Sequence, residues 1–264
     1  MKIRGERECR ECGRRWSYYE TGSVECPDCE SLRSVGVDDR TAHTDAPASL
    51  DLSAHRARFG DADVTLPAEA VDELKADLRE YVRKRGFIRG GELLALDATY
   101  LGARELLEAV DCYDRLRDPS DADREYILDL LAGVDDGVRP APERVPDRLR
   151  EGRGMAAARA AGEYRSDLLA FLDELTDEAG GDSGSESPAV SVSGGNPGAR
   201  IEPARAVLDR LRDRVKRVEA LNGDVAVADA DALVDAANAV GEYVRTGEDA
   251  AIDRARERLP TQDA

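Results

Sequence analysis

The sequence predicts a mainly all-α protein, a helical bundle plus a helical hairpin, with a small N-terminal β unit built around four cysteines. Three observations lead to this fold class. Apolar residues recur at helical spacing over most of the chain after residue 65, aromatic residues make up only 5% of the 264 residues, and two Cys-x-x-Cys pairs stand near the N-terminus. The low aromatic content argues against an aromatic-rich β-sandwich and indicates an aliphatic, alanine-rich core.

The N-terminal cysteines have the spacing of a metal site. Two Cys-x-x-Cys pairs are separated by thirteen residues, and they consist of Cys9, Cys12, Cys26 and Cys29. Gly13 stands where the turn after the first pair favours a positive φ, and Glu30 takes the equivalent place after the second pair. Because all four ligands are cysteine, no coordination position is left for a catalytic water, so we expect a structural metal. The alternative, two disulfides, would need an oxidising compartment.

The four cysteines, Gly13, Pro27 and the aromatic run RRWSYYE together resemble a transcription-factor-IIB-type zinc ribbon over about residues 5–35. This resemblance implies a three-stranded sheet that binds Zn²⁺ and docks on RNA polymerase. The spacing is also similar to the iron-binding rubredoxin-like module of rubrerythrins. Those proteins carry a di-iron bundle with Glu-x-x-His motifs, which His43 and His55 do not supply, so we expect zinc rather than iron. The whole chain resembles uncharacterised haloarchaeal zinc-ribbon proteins.

A basic and aromatic segment inside the ribbon is a candidate binding surface. It contains Arg14, Arg15, Trp16, Tyr18 and Tyr19. Cations interleaved with aromatic side chains suit stacking on bases or docking to a protein. Strand alternation predicts Trp16 and Tyr18 on one face and Tyr19 on the other. The alternative is that Trp16 and one tyrosine cover the small core of the ribbon.

Composition divides the first two thirds of the chain into a ribbon, a linker and a helical domain. Residues 1–40 form the ribbon, residues 41–64 mix small and polar residues without periodicity and are predicted to be a linker, and residues 65–177 form the helical domain. We expect four helices there. One begins near Thr65 and Pro67, one spans about 92–117, one follows a Ser120–Asp123 capping box, and one spans about 147–177.

The last third is predicted to be a linker and a hairpin. Thirteen of the 22 residues in 178–199 are Gly, Ser or Pro, which is typical of a flexible linker. Residues 200–264 are predicted to be a helical hairpin, because apolar residues follow heptad spacing from Ile201 to Val218 and again from Ala230 to Val244. The alternative is a dimerisation coil that joins two copies through residues 201–244.

The net charge of the chain indicates both the solvent in which the protein works and the ligands that it can bind. The formal net charge is −18, with 56 acidic and 38 basic residues, and only four of the basic residues are lysine. Excess carboxylate with little lysine is typical of halophilic archaea, where salt screens such a charge. The charge excludes a surface that binds nucleic acid or anionic membrane everywhere. It leaves a weak basic patch that consists of Arg79, Arg83, Lys84, Arg85 and Arg89, for which the alternative is an interaction with a helix C-terminus.

No catalytic motif was found for phosphate-binding loops, zinc peptidases or serine hydrolases. No targeting segment or membrane span is visible either, so we expect a cytoplasmic protein. Cys112 is expected to be a half-buried structural thiol. The sequence therefore predicts a non-enzymatic zinc-ribbon protein, a protein- or nucleic-acid-binding adaptor linked to transcription that binds RNA polymerase or nucleic acid through the ribbon. The alternative is a structural or oligomerising helical protein in which the ribbon only staples the fold.

Overall fold

The computed structural model describes residues 1–60, 68–180, 189–194 and 196–260. The α-helices in these residues are α1 (Tyr18–Thr21), α2 (Ser53–Gly60), α3 (Ala68–Lys84), α4 (Ala98–Asp114), α5 (Asp121–Gly133), α6 (Arg150–Gly180), α7 (Ile201–Ala220), α8 (Val227–Thr246) and α9 (Asp249–Arg258). Short 3-10 turns span Val134–Asp136, Pro142–Arg144, Asp147–Leu149 and Pro197–Arg200. The strands are β1 (Lys2–Arg4), β2 (Glu6–Cys9), β3 (Arg15–Ser17), β4 (Ser34–Gly36), β5 (Arg40–Ala42), β6 (Ile88–Arg89) and β7 (Glu92–Leu93). The predicted fold class, mainly helical with a small N-terminal β unit, is confirmed.

Local signals place the helices of the body. The apolar stripe of α3 is buried, and the predicted capping box of α5 is formed in both directions between Ser120 and Asp123. Helix α4 begins at Ala98, six residues later than expected, because Asp97 caps it by accepting a hydrogen bond from the Tyr100 N–H. The predicted helix start at Thr65 and Pro67 lies outside the described residues.

Helix α6 is the centre of the body. It is 31 residues long and packs against α4, α7 and α8, and one continuous apolar core extends from Ala42 to Leu259. The heptad positions of α7 and α8 are buried in this core. Helix α9, which the hairpin prediction did not include, adds Ile252 to the same core.

The stretches predicted as linkers are packed where the structure describes them. Residues 41–60 contain β5 and α2, and they bury Leu52 and Phe59 completely. Helix α2 has a weak apolar periodicity because His55 and Phe59 are its buried side chains among Ser53 to Phe59, so the pattern along the sequence did not predict it. In the second stretch, Val190 is buried and the Ser191 N–H donates to the Gly91 carbonyl. Residues 181–188 lie outside the described part of the chain.

Several contacts join the ribbon, or the segment that follows it, to the body, and one of them is an ion pair between Lys2 and Glu174 of α6. Strand β1 pairs antiparallel with β5, so the N-terminus is hydrogen-bonded to the segment that leads into α2. Asp45 is fully buried and forms ion pairs with Arg85 and Arg89 after α3. The Tyr19 hydroxyl hydrogen-bonds Thr41. Among the described residues, no helix is long and apolar enough to cross a membrane.

Candidate metal centre

The ribbon is a three-stranded antiparallel sheet in the order β3-β2-β4. Each Cys-x-x-Cys pair lies in a tight turn, and the two turns have the same hydrogen bond. The Gly13 N–H donates to the Cys9 carbonyl at 3.1 Å, and the Glu30 N–H donates to the Cys26 carbonyl at 2.9 Å. The turns require a positive φ at these donors, which is 75° at Gly13 and 57° at Glu30. Glu30 therefore occupies a conformation that glycine would adopt without strain.

The four cysteine sulfurs converge on one point. All four Sγ atoms lie within 4.8 Å of one another, and the nearest pairs are separated by 3.5 and 3.6 Å. A tetrahedral ion with metal–sulfur bonds of about 2.3 Å places its ligands about 3.8 Å apart. All four thiols are free, so the residues fit a single metal ion and the predicted metal site is present in its geometry. Cys9 and Cys26 are buried, and Cys12 and Cys29 are exposed.

Backbone N–H groups favour the thiolate form of one of the four cysteines, Cys9. Backbone N–H groups also act on the Cys12 and Cys29 thiols, but contacts with neighbouring sulfurs raise the pKa of both thiols against this effect. The N–H groups of Cys12 and Glu11 lower the pKa of the Cys9 thiol to about 7, and the Glu11 N–H lies 3.4 Å from the Cys9 sulfur. Metal binding requires thiolates, so a lowered thiol pKa favours it near neutral pH. The fifth cysteine, Cys112, is buried in α4, where burial raises the pKa of its thiol.

The structure separates the five residues of the predicted binding surface. Trp16 is buried with Cys9 and Cys26 in the small core of the ribbon, and its indole N–H donates to the Ser23 carbonyl. Tyr19 packs on His43, with ring centroids 4.7 Å apart. Strand alternation does not continue to the tyrosines because β3 ends at Ser17 and α1 begins at Tyr18.

The remaining members of that set lie on the surface. Arg14 and Arg15 are exposed and form ion pairs with Asp28 and Glu8. Tyr18 contributes to a cavity of about 410 Å³ that we call the ribbon cavity. Its walls are formed by Lys2, Ile3, Arg4, Arg7, Tyr18, Val24, Gly36 and Arg40.

Four cations of the ribbon cavity were not among the predicted site residues. Lys2, Arg4 and Arg7 lie in the first sixteen residues, which hold six basic and three acidic residues, so the local charge excess was the signal that could have found them. Arg40 faces Arg4 because β5 pairs with β1. No local pattern predicts a pairing across that distance in the sequence.

The predicted basic patch is also divided. Arg85 and Arg89 pair with Asp45, and Lys84 pairs with Glu80 within the last turn of α3. In the described part of the chain, the side chains of Arg79 and Arg83 form no hydrogen bond or ion pair, and both are exposed. They line a second cavity, next to Arg85 and Arg104.

Sequence comparison places the chain in a family without assigning an activity. Neither a curated protein nor a solved structure matches it. A family model matches residues 1–187 and 196–259, a span that includes both the ribbon and the helical body. The chain therefore belongs to the family of unknown function DUF7117.

Proposed function

We propose that this protein is a non-enzymatic, cytoplasmic adaptor whose zinc ribbon binds nucleic acid in transcription. The observation that carries the proposal is the ribbon cavity. Four cations and no carboxylate form its walls, in a chain whose net charge is −18. A cationic surface this local favours a polyanion, while the acidic remainder of the chain repels polyanions elsewhere.

Lys2 forms an ion pair with Glu174 of α6 at 2.6 Å, but the other three charges of the ribbon cavity are poorly compensated inside the protein. Arg4 and Arg40 are direct cross-strand neighbours, a position at which like charges destabilise a sheet. Arg4 donates to the carbonyl of Asp38, and Arg7 donates to the hydroxyl and carbonyl oxygens of Ser34, which are uncharged acceptors. Within the described residues, no ion pair is formed by Arg4, Arg7 or Arg40, so a phosphate ligand would supply the missing negative charge.

The metal has a structural role in this proposal. A site with four cysteine ligands leaves no position for substrate or water, so the ion orders the ribbon and does not act as a catalyst. Zinc fits the four-thiolate set, and iron in a rubredoxin-like site remains the alternative that metal analysis distinguishes. The resemblance of the ribbon to the transcription-factor-IIB type supports RNA polymerase or its template as the place of action.

Binding of a labelled single-stranded oligonucleotide, measured by fluorescence anisotropy over a series of salt concentrations, tests the proposal. The triple variant R4A/R7A/R40A should bind more weakly at every salt concentration. The slope of log K against log salt is negative, and each lost phosphate contact reduces its magnitude by about 0.7, so the magnitude should decrease by about 2. The matched control is R210A/K216A/R217A, which removes three exposed cations of α7. Equal losses in both variants would refute the role of the cavity.

A crosslinked pull-down at native salt identifies the partner. We expect nucleic acid, with RNA polymerase subunits recovered alongside it, and we expect recovery to depend on Arg4, Arg7 and Arg40. Polymerase recovery that survives nuclease treatment would instead indicate a protein partner for the ribbon.

A structural role is the second candidate, and Tyr19 favours it. A Cβ atom at Gly90, between β6 and β7, would lie 3.0 Å from the Tyr19 ring, so the ribbon packs closely on the body there. In this alternative the ribbon staples the fold and the chain forms a homodimer through residues 201–244. The heptad positions of α7 and α8 already pack inside the chain, so we expect a monomer by light scattering at high salt. A dimer would favour the structural role.

A further inference from the structure

A second cavity lies in the helical body, away from the metal ligands in sequence. It has a volume of about 540 Å³ and is bounded by the end of α3, by α4 and α6, and by Gly86 and Phe87. This volume is within the range of small-molecule sites, which run from about 300 to 1,000 Å³. We call it the helix cavity.

Four arginines line the helix cavity, and two of them are already neutralised. Arg85 forms ion pairs with Asp45 and Asp97. Arg104 is nearly buried and pairs with Glu163. These contacts fix two guanidinium groups in the wall and leave little of their charge for a ligand.

The other two arginines have no partner among the described side chains. Arg79 and Arg83 are four residues apart on α3, so they lie on one face of the helix and repel each other. The local ion pairs do not include either residue. Lys84 lowers the pKa of the Glu80 carboxyl, and Arg83 adds a smaller effect in the same direction. The side chains of Arg79 and Arg83 are exposed and border the cavity.

The carboxylates of the cavity are occupied by donors of the protein. Asp167 accepts hydrogen bonds from the Phe87 N–H at 2.7 Å and from the Thr44 hydroxyl at 2.6 Å. Glu163 accepts from Arg104 and from the Tyr100 hydroxyl. Neither carboxylate pairs with Arg79 or Arg83. Asp167 meets only neutral donors and keeps its negative charge, so the two free guanidinium groups leave the cavity with one net positive charge beyond its ion pairs.

The apolar part of the wall is rigid. Phe87 is 2% exposed, and its ring packs edge-on against Tyr100 and Tyr164, with centroids 5.1 and 4.8 Å apart. Val82 lies on α3 between the two free arginines in sequence and borders the same cavity. Val82 is 6% exposed, so a ligand would meet the two free cations beside a fixed wall of small apolar area.

From this arrangement we propose that the helix cavity binds a small organic phosphate, whose phosphate contacts Arg79 and Arg83 and whose organic part packs against Val82 and Phe87. Two guanidinium groups on one helix face suit a doubly charged tetrahedral anion, because each can donate two hydrogen bonds to its oxygens. The site is independent of the ribbon, and its ligand is a small molecule and not the polyanion proposed for the ribbon cavity.

Calorimetric titration of the full chain with phenyl phosphate and with inorganic phosphate tests the proposal. Phenyl phosphate should bind more tightly than inorganic phosphate, because its ring contacts the apolar wall. The variant R79Q/R83Q should bind phenyl phosphate at least about tenfold more weakly, which corresponds to the loss of one charge-assisted hydrogen bond. Both residues are exposed, so circular dichroism should show an unchanged fold.

The control variant R210Q/R217Q removes two exposed arginines of α7 and should leave the affinity for phenyl phosphate unchanged. The proposal is overturned if phenyl phosphate fails to bind at millimolar concentration or if R79Q/R83Q binds it as well as the wild type. An equal affinity for phenyl phosphate and inorganic phosphate overturns the assignment of an organic ligand.

Discussion

The ribbon and the helical body have cores of very different kinds. The buried apolar cluster of the ribbon contains Cys9, Trp16 and Cys26, two of which belong to the four cysteines that could hold a metal ion. The body has one continuous core that reaches from β5 to the residue after α9. A segment of about 40 residues buries too little apolar surface to fold alone, so a metal held by the four cysteines would stabilise the ribbon, whereas packing stabilises the body.

The charge distribution follows the same division. Residues 1–40 hold eight basic and nine acidic residues, so nearly all of the net charge of −18 lies in the remaining residues. The body carries many arginine–carboxylate pairs, such as Arg153 with Glu105 and Asp231 in the interior. The ribbon instead keeps Arg4, Arg7 and Arg40 without ion pairs in the described structure. The comparison teaches that nearly all of the net acidic charge belongs to the body, while the ribbon is close to neutral.

Replacing one of the four cysteines should produce the largest difference in stability between the ribbon and the body. Cys26 is 1% exposed, and C26S should abolish metal binding and unfold the ribbon, because structural zinc supplies about 10–16 kcal/mol to small domains. Hydrogen exchange should become fast in residues 1–36 and stay slow in α4, α6 and α8. Metal analysis should show the loss of one equivalent of zinc.

The matched control for C26S is C112S, because Cys112 is also buried but lies on α4. It should retain one equivalent of metal and the protection of the ribbon. If C26S also lost the protection of α6, the ribbon would be part of the folding unit of the body and the two regions would not be independent.

Substituting two glycines of the body should show that its stability comes from packing. A Cβ atom at Gly241 would lie 2.0 Å from the hydroxyl oxygen of Tyr164. That hydroxyl donates to the Leu94 carbonyl at 2.9 Å and accepts from Arg245 at 3.1 Å, so it has little freedom to move. We expect G241A to lower the free energy of unfolding by about 1–3 kcal/mol, the usual effect of overpacking.

The control is G162A in α6. A Cβ atom there would lie 3.7 Å from Val215, which is an ordinary contact. Alanine is the better helix former, so G162A should raise the free energy of unfolding by about 0.5–1 kcal/mol. Urea unfolding measures both changes. A G241A variant as stable as the wild type would show that α6 and α8 can separate without loss.

The turns and helix caps that depend on neighbouring residues were predicted from the sequence, and the features that depend on contacts between distant residues were not. Gly13 and Glu30 adopt the positive φ expected after each cysteine pair, and Ser120 caps α5 as expected, because these interactions span three or four residues. The two cavities could not be predicted from the sequence, because contacts between distant residues form them. Arg40 reaches the ribbon cavity only through the pairing of β1 with β5, and hydrophobic periodicity carries no information about such a pairing.

The dependence on distant contacts also explains why the structure divides the predicted binding surface and the predicted basic patch. Arg79, Arg83, Arg85 and Arg89 lie close together in the sequence. Asp45, about 40 residues before Arg85, forms ion pairs with Arg85 and Arg89 and not with the other two. Trp16 is buried because the two cysteine turns fold over it. The arginines and aromatic residues of both sets could be identified from the sequence, whereas the fold determines which of them are accessible to a ligand.

Lowering the pH should produce the smallest effect, at the junction between the two regions. His43 is buried there, with its ring against Tyr18 and Tyr19. Burial lowers the pKa of His43 in the folded protein; Asp45 opposes this shift, and Arg89 and the N-terminal amine add to it. The folded state therefore favours the neutral imidazole. Its contribution to stability is complete above the unfolded pKa of about 6.5 and is lost as the pH falls through the lower folded value.

The variant H43Q isolates this contribution, because acid also protonates the cysteine ligands in both proteins. Between pH 7 and pH 5 the wild type should lose more stability than H43Q. The difference should appear as faster hydrogen exchange in β1 and β5, because the backbone N–H of His43 donates to the Met1 carbonyl beside that strand pair. Exchange in α6 should change equally in both proteins. Identical pH profiles in β1 and β5 would mean that His43 does not couple protonation to the contact between ribbon and body, and that the metal ligands alone make the ribbon sensitive to acid.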